Sequence, residues 1–381
     1  MGRRIQGEGS VYQRKDGRWV AVITSEEGKK KFSYCKTQKE ALKELQLATQ
    51  AKMQGTLITT KDQKLSEFLT SWLTDTAQPI LRDKTYIRYC ELVRLHIIPI
   101  LGKVTLQKIT PQHLQRLYKT KREEGYAPQT ILHIHRFLHR AFNDAVKWNL
   151  MPRNVCNLIE GPRVPKKEMQ VLSHEQAHSF LEAAQGDPLE TLYILALSTG
   201  MRQGELLGLQ WKDIHFDNGT LQVKRKIARI SNKGFVFSEP KTAKSRRNIT
   251  LTATALESLK QHRRKQHEQR LAVGPEWEEY DLVFCNMLGR PIEVGNMTRR
   301  SFRPILKKAG LPIIRFHDLR HSCASLLLSL GVHPKVVQEL LGHSQISITL
   351  DTYSHVLPSL QAEAAQRLDT LLSFRQQRHQ S

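Results

Sequence analysis

Cysteine is scarce and unpatterned. Five residues, Cys35, Cys90, Cys156, Cys285 and Cys323, lie far apart in a chain of 381 and show no C-x-x-C pair. That spacing argues against a disulfide framework and against a zinc site, and a reducing compartment, the cytoplasm, is expected. Long apolar runs are also lacking. No stretch approaches the roughly 20 apolar residues that span a bilayer, and the opening Met1-Gly2-Arg3-Arg4-Ile5 has no signal-peptide core. Gln6 stands where a myristoylation site carries Ser or Thr. Acid is the third shortage. Asp plus Glu number 36 against 59 Lys plus Arg, a net charge of +23 with a pI near 9.9. Residues 1–60 carry 12 basic against 6 acidic side chains, 61–168 carry 19 against 10, and 169–381 carry 28 against 20. An excess spread along the whole chain suits a polyanion such as nucleic acid, which a small anionic substrate is not.

What the chain does have is concentrated near its end. Phe316-His317-Asp318-Leu319-Arg320-His321 precedes an apolar periodic segment, 322–330, with Ala324, Leu327 and Leu328 on one side. Leu341-Gly342-His343 and Asp351-Thr352-Tyr353 follow. His317, Arg320, His343 and Tyr353 have no place in an amphipathic packing pattern. An Arg fork and imidazole donors suit the oxygens of a phosphate, and a Tyr hydroxyl suits in-line attack on phosphorus. The indicated target is a phosphodiester. Upstream, Thr199-Gly200-Met201-Arg202-Gln203-Gly204-Glu205 adds a second Arg near a Gly. If Arg202 opens a helix, Glu205 lies one turn away and orients it.

These residues resemble the catalytic domain of the tyrosine recombinases, the phage-integrase family, whose pattern is Arg, Lys, His-x-x-Arg, His and Tyr in chain order. Arg202, Lys241, His317 with Arg320, His343 and Tyr353 fill the six places within about 150 residues. The resemblance implies that Tyr353 attacks the scissile phosphate, leaving a 3′-phosphotyrosyl enzyme and a free 5′ hydroxyl. Arg202 and Arg320 would neutralise the transition state. Lys241, whose spacing to Arg246 and to 249–251 fits better than that of Lys244, would protonate the leaving oxygen. His317 would take the Tyr proton or hold a phosphate oxygen, and His343 would donate to the phosphate. No metal and no cofactor are implied. The partners implied are double-stranded DNA at attachment sites, three further copies in a homotetramer, and an accessory directionality or host DNA-bending protein. The setting would be the nucleoid of a bacterial cell. Rival readings are a type IB topoisomerase, a telomere resolvase, or a non-catalytic DNA-binding regulator; the filled six-residue set argues against the last.

The rest of the chain reads as further DNA-binding modules. Runs at 9–14, 18–23 and 30–35, with Asp16-Gly17 between the first two, predict a three-stranded sheet. Thr37-Gln38-Lys39-Glu40 is a capping box that opens a helix to about Met53. With Arg14, Lys15, Arg18 and Lys30, this unit resembles the arm-binding domain of phage and transposon integrases, as Tyr12, Trp19 and Phe32 also suggest. Polar 55–63 reads as a linker. Helices are expected over 64–74, over 84–98 ending before Pro99, over 110–125 and over 129–148. This bundle resembles the family's core-binding domain, and Tyr86, Arg88, Lys119, Lys121, Arg122, Arg136 and Arg140 are its candidate phosphate contacts. His133, His135 and His139 cluster in the last helix without the carboxylate of H-E-x-x-H, so surface or DNA-facing imidazoles are expected rather than a metal site. Pro-rich 151–170 is a second linker, after which Ser173-His174-Glu175-Gln176 caps the first helix of a domain running over 171–381. There 211–248 turns β-like, with turns at Asn218-Gly219 and Lys233-Gly234. After Pro358, 359–374 predicts a tail helix that docks on a neighbouring subunit or on its own domain. The fold class expected is multidomain α+β: a small sheet plus helix over 1–54, a helical bundle over 64–150, and a mainly α catalytic domain with a small antiparallel sheet.

Overall fold

The computed structural model describes residues 9–24, 28, 30–53, 62–165, 169–231, 233–239, 246–353 and, in the tail, 365, 366, 368–370 and 372. The chain divides into two compact units, 1–166 and 167–381.

In the first unit β1 (Ser10–Gln13), β2 (Trp19–Thr24) and β3 (Lys30–Cys35) form an antiparallel meander in the order β1-β2-β3. Gly17, at φ +81°, closes the first turn, a left-handed conformation that only glycine adopts without strain. Register sets Tyr12, Val20 and Tyr34 side by side. Tyr12, Phe32 and Tyr34 stay exposed on that face while Val20 is buried beneath them. The Gln38–Met53 helix begins as expected, with Glu40 N donating to Thr37 Oγ1 and Thr37 N donating back to Glu40.

The helical bundle follows, packed around Phe68, Trp72, Phe137 and Phe142. Its prolines correct the sequence reading. The Asp83–Leu92 helix does not stop before Pro99 but runs on through a wider turn, Val93–Ile97, into Ile98–Leu101. Ile98 N donates to Val93 O, five residues back, so a π-type turn comes just before the residue that has no N–H to give. The same device precedes Pro79 and Pro304, where Trp72–Ala77 and Thr298–Phe302 carry the wider turn. The Leu65–Ser71 helix therefore extends past 74, to Ile80. Pro111–Glu123 and Pro128–Lys147 complete the bundle, each with Pro in its first turn.

The second unit buries Phe180, Leu192, Tyr193, Phe284, Phe302 and Leu319 in its main core. Ser173 caps His174–Ala184 by accepting from Gln176 N. Glu190–Thr199 is apolar nearly all round, as a central helix must be. A three-stranded sheet has the order β4 (Ile214–His215), β5 (Thr220–Val223), β8 (Arg247–Thr250), and β6 (Lys226–Ile230) pairs with β7 (Gly234–Ser238) as a separate hairpin. The long Ala253–Val273 helix follows, and then Phe316–Ser329, Pro334–Leu341 and Ile346–Tyr353. The first of these three starts six residues before the expected 322, so His317 and Arg320 lie inside the helix. Arg315 N donating to Asp318 caps it. Most of the expected tail helix lies outside the described residues.

Candidate active site

Two helix ends meet in the second unit, and both finish in a left-handed glycine. Glu190–Thr199 ends at Gly200 (φ +58°) and Pro334–Leu341 at Gly342 (φ +67°). At the second end Gly342 N donates to Glu339 O and His343 N to Gln338 O, a Schellman closure that fixes where His343 emerges. Gln338 Nε2 also donates to His343 O at 2.9 Å. A Cβ on Gly200 would fall 2.6 Å from Leu341 Cδ2, so only glycine lets the two ends approach this closely.

The carbonyls that a helix end leaves over are taken by three arginines from three distant parts of the chain. Arg247 Nε donates to Leu340 O at 2.6 Å, Arg320 Nη2 to Leu341 O at 2.8 Å, and Arg202 Nη2 to Gly342 O at 3.3 Å. Arg320 Nη1 also donates to Gly200 O at 2.6 Å. Cations belong at this pole of a helix, where unpaired carbonyls and the macrodipole both favour them.

Glu205 ties two of the three together. It is buried, and it accepts from Arg202 Nη1 at 2.8 Å, from Arg202 N at 3.0 Å and from Arg247 Nη2 at 3.0 Å. Burial pushes its carboxyl up, but the Arg247 charge and the Arg202 bonds outweigh that and hold it below the usual range. Arg202 precedes the short Gln203–Leu206 helix, so Glu205 orients it from one turn on, as the spacing requires. Glu205 is the carboxylate bonded among the three guanidiniums, and a second buried carboxylate, Asp318, whose charge reaches His317 and His321, is paired with Arg315, so the site stays cationic. The Arg202 side chain is 38% exposed, while those of Arg247 and Glu205 are buried.

Three imidazoles join this cluster. His317 and His321 pack edge to face with ring centroids 4.9 Å apart. Burial and the adjacent Arg320 hold His317 below its ordinary pKa. His343 is pushed down to about 4 by burial, then by Arg320 and Arg202, and His321 to about 4 by burial and His317. All three are therefore neutral near pH 7. His343 Nδ1 lies 2.9 Å from Thr349 Oγ1, which links it to the Ile346–Tyr353 helix. Tyr353 is the last residue of that helix, and its side chain lies outside the described residues, as does the whole of Lys241. The structure thus brings Arg202, His317, Arg320 and His343 into one constellation and sets the Tyr353 backbone at the end of a helix bonded to it.

The expected DNA-contacting cations behave unevenly. Arg14, Lys15, Arg18, Lys30, Arg88, Arg122 and Arg136 are exposed. Arg18 forms a two-bond pair with Asp16, and Arg14 lies over the Tyr34 ring. Arg140 is half-buried over Trp72 and Tyr89. Lys121 is a correction: its side chain is 5% exposed and its ammonium donates to Glu124 at 2.7 Å beside the Tyr126 ring, so it is not available to a phosphate. In the histidine cluster His133 is exposed, as expected of a surface imidazole. His135 bonds Tyr118 and His139 bonds Asn157, each at 2.9 Å, so two of the three imidazoles serve the bundle's own polar contacts. Among the described residues no group of three or more His, Cys, Asp or Glu is placed to hold a metal ion, and no helix is long and apolar enough to cross a membrane.

Comparison with known proteins places this geometry. Residues 170–359 match the phage integrase family, and 64–121 match the phage integrase N-terminal SAM-like domain. A "Tyrosine recombinase XerC-like" protein of Caldanaerobacter subterraneus subsp. tengcongensis is 32% identical, over 92% of this chain and 95% of its own. The chain belongs to the phage integrase family of tyrosine recombinases. An integrase of Streptomyces ambofaciens is 30% identical over 95% and 96% of the two chains, and the ICEBs1 integrase of Bacillus subtilis 28% over 81% and 82%. Among solved structures, the Tn1549 transposon integrase in complex with transposon right end DNA superposes with a TM-score of 0.67 at 22% identity, covering 80% of this chain and 99% of that one. A lambda integrase tetramer bound to a Holliday junction superposes with a TM-score of 0.55 at 20% identity, covering 91% and 98%. These likenesses carry the multidomain α+β fold.

Two residues of this integrase-family site escaped the sequence reading. Arg247 alternates with Ile249 on the inward side of β8, in phase with buried Leu251 just beyond it. A lone Arg in phase with core residues was the available signal. Thr349 is 0% exposed and had only its place one turn before Tyr353 to mark it.

Proposed function

We propose that this chain is a site-specific DNA recombinase of the integrase type, which cuts and rejoins strands of double-stranded DNA to integrate and excise a phage or other mobile element. The observation that carries the reading is the convergence of Arg202, Arg247 and Arg320 on one helix end, beside neutral His317 and His343 and directly before the helix of Tyr353. Preorganised cations of this kind stabilise the charge that develops on a phosphate in flight.

The Tyr353 oxygen attacks the scissile phosphorus, and the P–O bond to the 5′ carbon breaks. The tyrosyl proton passes to His317 or to solvent, and the leaving oxygen takes a proton from Lys241. A 5′ hydroxyl of the partner strand then attacks the phosphotyrosine and regenerates Tyr353. The phosphodiester energy is held in the covalent bond throughout, so no nucleotide is consumed. Arg202 and Arg320 hold the non-bridging oxygens, with His343 donating to one of them.

The remaining parts fit the same reading. Residues 1–54 act as an arm-type DNA-binding domain that presents Arg14, Lys15, Arg18 and Lys30. Residues 64–150 act as a core-binding domain that presents Arg88, Arg122, Arg136 and Arg140, and 171–381 as the catalytic domain, with linkers at 55–63 and 151–170. Exchange between two duplexes takes a homotetramer on DNA, helped by an accessory directionality or DNA-bending protein, in the bacterial cytoplasm.

The test is a nicked duplex carrying the element's own end sequence, scored for covalent protein–DNA adduct in EDTA, with Tyr353→Phe beside the wild type. An adduct from the wild type only is the expected result. Tight binding with no adduct from either protein overturns the catalytic reading in favour of a regulator built on the same scaffold.

A further inference from the structure

The helix that carries Tyr353 holds one hydroxyl fully out of solvent. Thr349 lies one turn before Tyr353, and its Oγ1 stands 2.9 Å from His343 Nδ1. A hydroxyl gives or takes a hydrogen bond, whereas a neutral imidazole has one N–H and one lone pair. The direction of this single bond therefore decides which ring nitrogen of His343 carries hydrogen. If Nδ1–H donates to Thr349, Nε2 keeps a lone pair. If Thr349 donates to Nδ1, Nε2 becomes a donor.

The surroundings choose between the two. Gln338 Nε2 fixes the His343 backbone carbonyl, and the Schellman closure fixes its N–H, so the residue has little freedom to turn. The charges that bear on the ring are the guanidiniums of Arg320, Arg202 and Arg247, which make this an anion's place, together with the neutral ring of His321. A lone pair aimed at a phosphate oxygen repels it, whereas an N–H attracts it.

We propose that Thr349 is a positioning residue: its hydroxyl donates to His343 Nδ1 and holds the imidazole as the Nε2–H tautomer that donates to the scissile phosphate. The inference rests on the recombinase reading and deepens it. The nucleophile's helix and the phosphate's imidazole donor then set each other, because the donor has its productive tautomer only while the Ile346–Tyr353 helix is seated. Second-sphere partners that fix a histidine's tautomer in this way are familiar from metal and triad sites.

Two readouts on the full-length protein decide it. In 15N-histidine-labelled protein, with His343 assigned through His343→Gln, a bare Nδ1 and a protonated Nε2 are expected in the wild type, and a mixture in Thr349→Val. Single-turnover adduct formation on the nicked duplex is expected to fall about tenfold in Thr349→Val, the worth of one hydrogen bond, with DNA affinity unchanged and Thr349→Ser close to wild type. A protonated Nδ1 in the wild type overturns the proposal, and so does Thr349→Val cleaving at the wild-type rate. Should Thr349→Val melt below the assay temperature, the wild-type spectrum and the Thr349→Ser rate decide alone. A wild type that forms no adduct defeats the recombinase reading, while the tautomer assignment still stands or falls on the spectrum.

Discussion

Replacing Arg247 by Met should turn Glu205 from the anchor of the site into its weakest point. The carboxylate is 4% exposed, and Arg247 Nη2 is one of its three donors. Burial works against its charge, and Arg247 is the largest influence on the other side. Removing one member of a buried ion pair costs about 3–5 kcal/mol, and Arg247 also releases the Leu340 carbonyl. For a unit the size of 167–381 each kcal/mol lowers Tm by roughly 2–4 °C, so a fall of about 6–20 °C is expected at pH 7. In the wild type Glu205 titrates below its unfolded value, so its contribution is present above that value and is lost as pH falls through the folded one. Without Arg247 the folded pKa rises, and the variant relieves its buried charge by taking up a proton. The gap between wild type and variant should therefore narrow as pH falls from 7 to 5. Melting the full-length protein by circular dichroism at both pH values reads this directly. The Glu205→Gln/Arg247→Met double variant should be more stable than Arg247→Met at pH 7. A deficit identical at both pH values, or a double variant no more stable than the single one, refutes the buried-anchor reasoning.

Gly200→Ala should destabilise the second unit by about 1–3 kcal/mol, because Ala is strained at φ +58° and its Cβ displaces Leu341; a denaturant titration reads the loss, and adduct formation should fall with it as the helix end before His343 shifts. Lys121→Met should leave DNA affinity and its salt dependence unchanged, since that ammonium is occupied by Glu124. Arg136→Gln should lower the slope of log affinity against log salt by about 1, and both are read by fluorescence anisotropy across a salt series. His321 and His343 are held at about 4 in the folded chain, below the unfolded value near 6.5. The unfolded chain binds more protons between those values, so stability should fall as pH drops from about 6.5 to about 4. Thermal melts should show a shallower fall in His343→Gln.

Features set by neighbours in sequence were legible. The β1–β3 meander follows from Asp16-Gly17 and β-rich runs, and the Gln38–Met53 helix from its Thr37–Glu40 box. The one-turn reach from Arg202 to Glu205 was legible too. Proline misled where a wider turn intervened. Pro99 signals a stop only if the helix needs its N–H, and the bond from Ile98 N to Val93 O removes that need. Lys121 misled because charge alone does not say whether a side chain points outward, and here Glu124 and Tyr126 enclose it. The phase of Arg247 with core residues marks it as inward-facing, but its partners could not be read locally. Its carbonyl partner lies 93 residues away, that of Arg202 lies 140 away, and the two of Arg320 lie 120 and 21 away.

That long reach carries a consequence for how the arginines act. A free guanidinium rotates about several bonds, and ordering it at the moment of reaction would draw on the binding energy of the phosphate. Arg320 is 3% exposed and has two nitrogens on backbone carbonyls, Gly200 O and Leu341 O, so it is already ordered. The carbonyls are orphans of the helix ends, so holding the guanidinium there satisfies groups that would otherwise be buried unpaired. The same bonds that close two helices thus fix the plane of the guanidinium. Lysine carries its three donors on one nitrogen and lacks the planar fork that sets a separate nitrogen on each carbonyl, so folding selects arginine at 320, and under the proposed recombinase function phosphate binding would select the same side chain.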